Sequence, residues 1–289
     1  MSAVTRGVIA LLDERPAGAF AAFADAVEAR GYDSLWLPEL FGREPIASAA
    51  HLLARTSRLH VATGIVNVYG RDPHALAQAR HTLAELSDGR FVLGLGVSNV
   101  EVNGARGHAW QAPLAKMRAT LDALEAVQVQ SVAPATPAPL VLAAHGPALQ
   151  RLGAARCDGI LTYLMSPAHT RRSRERVGPD TQLNVVCALL AEPDAVRARR
   201  TARAALAWYL GLDYYHREWR KLGYTDADFA DGGSDALVDM LVGWGDAAAL
   251  EARIAAHVDA GADRIIVMPI DAMGAKPRMT TLDAVAPAR

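Results

Sequence analysis

Cysteine is nearly absent from this chain, with only Cys157 and Cys187 in 289 residues. That excludes a secreted disulfide scaffold, and their separation matches no spacing of paired metal ligands. Both are expected to pack as small hydrophobes in a reducing cytoplasm. An excess of either charge is missing too, since 30 Lys and Arg face 31 Asp and Glu. No global field is then available to hold a polyanion or an anionic bilayer, which argues against nucleic acid and membrane surfaces as partners. Charges or prolines interrupt every apolar run before the roughly 20 residues that a bilayer crossing requires. The N-terminal MSAVTRGVIALLDERP is broken by Asp13 and Glu14 and lacks a small-residue cleavage site, so no signal peptide is expected. Nine histidines are scattered without HExxH or related spacing, and no metal is expected. Neither a GxSxG elbow nor a GxxxxGKS/T loop occurs, which weighs against hydrolase and kinase chemistry.

What is abundant is apolar residues, 51% of the chain, enough for a large core. Short runs of Val, Ile and Leu alternate with longer stretches whose apolar positions recur at three and four. Eight strands are expected: Arg6–Leu12, Ser34–Pro38, Leu59–Ile65, Phe91–Leu95, Leu140–Ala144, Gly159–Leu164, Leu183–Ala191 and Arg264–Ile270. Most are apolar at consecutive positions, as in a parallel sheet covered on both faces. Helix faces lie between them: Phe20, Phe23 and Val27 before Gly31; Leu76, Leu83 and Leu86 before Gly89; then Leu114, Met117, Leu121 and Leu124. Ser166-Pro167 opens another helix, which Gly178 closes, and Asp246 caps one that ends near Gly261. This rhythm predicts a (β/α)8 TIM barrel in one domain spanning 1–289, with a doubly wound open sheet as the alternative fold. Ala133–Pro139 reads as an extended surface linker. An aromatic and charged insertion, Gly211–Gly233, is placed late in the seventh unit as a lid, a dimer surface or a helical hairpin.

In a barrel, the residues just after each strand carry the chemistry. Glu39 is the one carboxylate immediately following an apolar strand, which makes it a candidate acid or base or else a surface group. Gly94-x-Gly96 lacks the third glycine of a dinucleotide fingerprint. Its glycines either let the backbone approach a ligand, with Ser98 and Asn99 bonding to it, or serve a turn. His145-Gly146-Pro147 offers backbone N–H groups at a helix start, an anion site or an ordinary beginning of a helix. The basic clusters Arg171–Arg176 and Arg197–Arg203 lie on helices and read as solvated faces.

Several segments, in order, resemble the bacterial luciferase-like oxidoreductases, and within them the branch that uses the deazaflavin coenzyme F420. They are GYDSLWLPE (31–39), ATGIVNVYGRDP (62–73), LSDGRFVLGLGVSN (86–99), the stretches 106–124 and 142–170, and VGWGD (242–246). The resemblance implies a barrel, usually dimeric, holding F420 or, alternatively, FMN at its C-terminal mouth, with a small organic substrate. It implies a non-prolyl cis peptide at Gly64-Ile65 backing the ring. Glu39, Thr63, Gly64, Ile65 and Asn67 are then expected near the ring, and Ser98 and Asn99 near its edge. Ala144, His145, Gly146, Tyr163 and Leu164 are expected along the side chain and phosphate. Where several relatives have a proton-transferring histidine after the acidic residue, this chain has Leu40. His108 is the candidate replacement, with Glu39, in the catalytic set. The same departure keeps open a non-catalytic barrel that acts as a binding protein. A homodimer through first-half helices such as Ala75–Ala84 completes the expectations.

Overall fold

The computed structural model describes residues 4–272 and 278–288. Ten strands form one parallel sheet: β1 Thr5–Ile9, β2 Ser34–Leu37, β3 His60–Thr63, β4 Val66–Asn67, β5 Phe91–Gly96, β6 Leu140–Ala143, β7 Gly159–Tyr163, β8 Gln182–Ala191, β9 Val242–Gly245 and β10 Arg264–Pro269. β1 pairs with both β2 and β10, and β10 also pairs with β8, so eight strands close into a barrel. The doubly wound alternative is excluded by that closure. All eight expected strands are present, each with at least one end shifted. The third ends at Thr63; the Gly64-Ile65 peptide that follows is cis, and the chain resumes as β4 beside β5.

Alternate residues of each strand face two different cores. On β2, Trp36 points into the barrel while Leu35 and Leu37 meet the helices; on β10, Ile266 and Met268 point in while Ile265 and Val267 point out. This explains the consecutive apolar runs, since both faces are buried. The helices expected before Gly31 and Gly89 span Ala17–Ala29 and Pro73–Leu86. Leu86, expected on the buried face, is 71% exposed at the end of its helix. Asp246 caps the helix Ala247–Asp259 by accepting from the Ala249 amide at 2.9 Å.

The seventh unit differs most from expectation. The helix Ala195–Leu210 packs on β9 and on the turn Ile270–Ala272 at the strands' C-terminal ends. The helix that crosses back to β10 is Ala247–Asp259, which packs on β8, β9 and β10. The inserted region therefore begins well before Gly211 and includes the helices Ala195–Leu210, Asp213–Arg220 and Asp235–Leu241. Its apolar residues, among them Leu206, Leu210, Trp219 and Leu237, join the inner core of the barrel rather than the outer one. The arginines of 197–203 are largely ion-paired, with Arg199 on Asp235 and Asp239 and Arg203 on Asp235.

Candidate functional site

A cavity of ≈ 490 Å³ opens at the C-terminal mouth, the size of a typical ligand pocket. Of the residues singled out in the sequence, Glu39, Gly64, Ile65, Ser98, Asn99, His145, Gly146 and Tyr163 line it. Thr63, Asn67, Ala144 and Leu164 are buried behind its wall, and His108 lies outside it. Among the described residues no helix is long and apolar enough to cross a membrane.

The wall at the ends of β3 and β5 is built by close backbone approach. A β-carbon on Gly94 would collide with the Thr63 carbonyl, and one on Gly96 would sit 2.6 Å from Ile65 Cγ1. Neither glycine has a positive φ, so the spacing serves the packing of β5 against the bend after β3. The Thr63 hydroxyl sews these strands together, donating to Gly94 O and accepting from Gly94 N, both at 2.8 Å. Asn99 caps the helix Val100–Ala105 by accepting from the Val102 amide at 2.8 Å.

Behind this wall the polar residues form a closed network. Glu39 Oε2 accepts from the Asn67 amide and from Arg71, each at 2.8 Å, and its Oε1 accepts from Arg106 at 3.0 Å. Asn67 donates to Asn103 Oδ1 at 2.9 Å and accepts from the Tyr69 amide at 3.1 Å. The sequence could not show that Glu39 meets arginines 32 and 67 residues away. His108 sits against Tyr69, with ring centroids 5.8 Å apart, and Tyr69 stacks in turn on Trp110.

The opposite wall is aromatic. The helix Asp213–Arg220 brings Tyr214 and Tyr215 edge-on to the His145 ring, at 5.6 and 5.9 Å between centroids. It is fixed by Trp219 Nε1, which donates to Leu164 O at 3.1 Å. Leu164 holds a left-handed backbone, with φ 54°, directly after β7. Tyr163 Oη lies 3.0 Å from Tyr209 Oη and 2.8 Å from Met268 Sδ. A thioether only accepts, so the single proton of Tyr163 goes either to sulfur or to Tyr209, and Tyr209 is left as donor or acceptor accordingly. Burial pushes Tyr163 and Tyr215 well above the ordinary phenol range and raises Tyr209 too.

His145 is 7% exposed, and its Nδ1 has no hydrogen-bond partner. Burial, with a smaller contribution from His169, lowers its pKa to about 3, so the ring is neutral. Its backbone carbonyl is held by Gln150 and His169, each at 3.1 Å. Gly146 is the N-cap of the helix Pro147–Arg156, as the sequence suggested. Cys157 and Cys187 are free thiols, and burial pushes both up to about 12.

Trp110, Trp208, Tyr209, Tyr214, Tyr215, Arg217 and Glu218 also line the cavity and were not individually expected. The aromatic and charged character of 211–233 was the one signal available for the last four.

Comparison with known proteins agrees with this architecture. Residues 2–264 match the model of the luciferase-like monooxygenase family. A Mycobacterium tuberculosis protein described as a candidate coenzyme F420-dependent oxidoreductase is 27% identical over 254 residues, 69% of this chain and 72% of that one. The coenzyme F420-dependent tetrahydromethanopterin reductase of Methanopyrus kandleri superposes with a TM-score of 0.72 at 16% identity, over 98% of each chain. The oxygenating constituent of the FMN-bound 3,6-diketocamphane monooxygenase of Pseudomonas putida does so at 0.70 and 16%, over 98% of this chain and 97% of that chain. At such identities the superpositions speak to the barrel alone, while the match of the family model spans most of the sequence. The chain belongs to the luciferase-like monooxygenase family, whose members are oxidoreductases and monooxygenases.

Proposed function

We propose that this protein is an F420-dependent oxidoreductase that moves hydride between the deazaflavin and a small organic substrate. The observation that carries the reading is a cavity bordered by Gly64, Ile65 and Gly96 at the strand ends and by the helix start at Gly146. A planar ring on a phosphorylated chain requires both. The residues fit the coenzyme's two ends: Gly64 and Gly96 offer bare backbone and Ile65 an apolar side chain to the ring, and His145 Nδ1 is a buried polar atom without a partner. When bound, the deazaflavin supplies the hydride chemistry.

The chain's own residues orient, enclose and protonate. Trp110 and Trp208 narrow the mouth and exclude water. Tyr163 and Tyr209, hydrogen-bonded to each other and both lining the cavity, hold the proton that Leu40 cannot supply. Glu39 acts as a brace, its oxygens already occupied by Arg71, Arg106 and the Asn67 amide. His108 stands outside the reaction. On the strength of the family resemblance we also read residues 1–289 as one domain of a homodimer, and the two free thiols support a reducing cytoplasm.

Fluorescence titration of the full chain with F420 and with FMN tests the assignment. Saturable binding of F420 and its turnover with an enone, imine or quinone panel is the expected result. Binding of FMN alone moves the chain to the flavin monooxygenases. Bound reduced coenzyme that no acceptor reoxidises returns it to a binding role.

A further inference from the structure

The five tryptophans divide into two groups. Trp36, Trp219 and Trp244 each donate from Nε1, to Ser34 Oγ, Leu164 O and Asp239 Oδ1. Trp110 and Trp208 donate to nothing among the described residues, are 40% and 41% exposed, and line the same cavity. Of the other large apolar side chains exposed among the described residues, Val100 lines it too, and Phe41 directly follows the lining residue Leu40. Bare apolar surface gathered at one mouth marks a place that a ligand covers. Trp110 is fixed in advance: it stacks on Tyr69 at an interplanar angle of 12°, and Tyr69 Oη accepts from the neighbouring Gln111 amide at 3.0 Å. Trp208 stands edge-on to Tyr209, with ring centroids 5.0 Å apart. Beside that second indole a proton is free. When Tyr163 donates to Tyr209, 3.0 Å away, the hydroxyl proton of Tyr209 has no acceptor among the described residues. The charges on the lining add no anchor for an anion. Glu39 is held by Arg71 and Arg106 and Glu218 by Lys221, which leaves Glu101 and Asp213 against Arg217, all three exposed. His216 Nδ1 is 3.9 Å from the Asp213 carboxylate, and Arg172 and Arg176, the cations beside His169, are outside the lining.

We propose that the cavity mouth binds an uncharged, planar aryl ketone, with its rings on Trp110 and Trp208 and its carbonyl oxygen on the Tyr209 hydroxyl. The inference deepens the oxidoreductase reading above and rests on it in calling that ligand the substrate. A flat π face gains on an indole more than burial alone gives, because offset and edge-on ring contacts are electrostatically favourable. An aliphatic ligand of equal bulk gains the burial only. Trp110 loses little freedom when covered, since Tyr69 already holds its ring and the next amide. A ketone oxygen accepts and cannot donate, which suits a phenol proton with no acceptor of its own. A carboxylate on the ligand would meet Glu101 and Asp213 at the rim.

Calorimetric titration with 2-acetylnaphthalene, 2-acetyldecalin and 6-acetyl-2-naphthoate tests this by binding, on the full chain alone and saturated with oxidised F420. Wild type is expected to bind the naphthyl ketone about fivefold more tightly than the decalin. It should bind the naphthyl ketone about fivefold more tightly than the naphthoate as well. Trp110→Leu should weaken the naphthyl ketone by about fivefold and the decalin by about twofold at most. Tyr209→Phe should weaken the two neutral ketones alike, by about fivefold, as the loss of one hydrogen bond implies. Equal binding of the flat and the saturated ketone, naphthoate binding as tight as that of the neutral ketone, a Trp110 variant that moves both ketones equally, or a Tyr209 variant without effect overturns the proposal. The expected order with F420 bound upholds both readings. If F420 binds while that order is absent, the oxidoreductase reading stands and the ligand class falls. If the order holds on the chain alone while F420 does not bind, the ligand class stands and the coenzyme reading falls. Failure of F420 and of all three ketones to bind overturns the two together.

Discussion

On the flank of the cavity built by the ends of β2, β3 and β5, the buried polar groups of Glu39, Thr63, Asn67 and Asn103 are bonded to one another, to arginines or to backbone. Across the cavity, at the end of β6, His145 is as deeply buried yet keeps a bare Nδ1. A buried polar atom without a partner costs about 1–3 kcal/mol, so the two flanks cannot have the same task. The satisfied flank is complete as folded and holds a shape. The other leaves one buried polar atom without a partner among the described residues.

Acid separates the flanks most sharply. His145 is lowered to about 3 by burial and His257, also buried, to about 4, whereas an unfolded chain titrates near 6.5. The unfolded state takes up protons first, so stability present above pH 6.5 is lost as pH falls towards the folded values. The loss is about 1.4 kcal/mol per pH unit for each histidine. Urea midpoints at pH 7, 6 and 5 should show that slope, and His145→Gln should make it shallower; an unchanged slope would mean the ring is already protonated or hydrated.

Next in size is Glu39→Ala, which strands Arg106, leaves Arg71 with Glu44 alone, and should cost about 3 kcal/mol by urea denaturation. Lost turnover with an unchanged midpoint would reverse the assignment and make Glu39 a proton carrier. Gly96→Ala pushes a methyl into Ile65 and should cost about 2 kcal/mol, with weaker coenzyme binding as the wall shifts. Trp219→Phe removes the bond to Leu164 O and should cost about 1 kcal/mol, read as faster proteolysis within 211–233.

Much of the fold was legible because both faces of each barrel strand are apolar and each helix has a marked end. The short β9 escaped notice: VGWG has two glycines in four residues and no run of branched side chains. The start of the insertion was misplaced for a different reason. Ala195–Leu210 has the apolar period of any crossover helix, and only its partners, β9 and the turn after β10, show where it lies. At the site, sequence pointed to strand ends and eight of those residues do face the cavity. The roles of Glu39 and Asn67 were not readable, because Glu39 accepts from Arg71 and Arg106 and Asn67 donates to Asn103, all distant in the sequence. Tyr209 and Trp208 end a helix far from any strand in sequence, with no local mark of their destination.

The inner core runs from Trp36 and Ile266 within the barrel directly into Leu206, Trp219 and Leu237 of the inserted helices. For anyone wishing to redesign this protein, that continuity sets the unit of change. Grafting a relative's loop in place of 195–241 would uncork the barrel, because the segment supplies one end of the apolar filling. Substrate scope is better altered one side chain at a time, at Trp110, Trp208 or Tyr214, which face the cavity without being fully buried in that core.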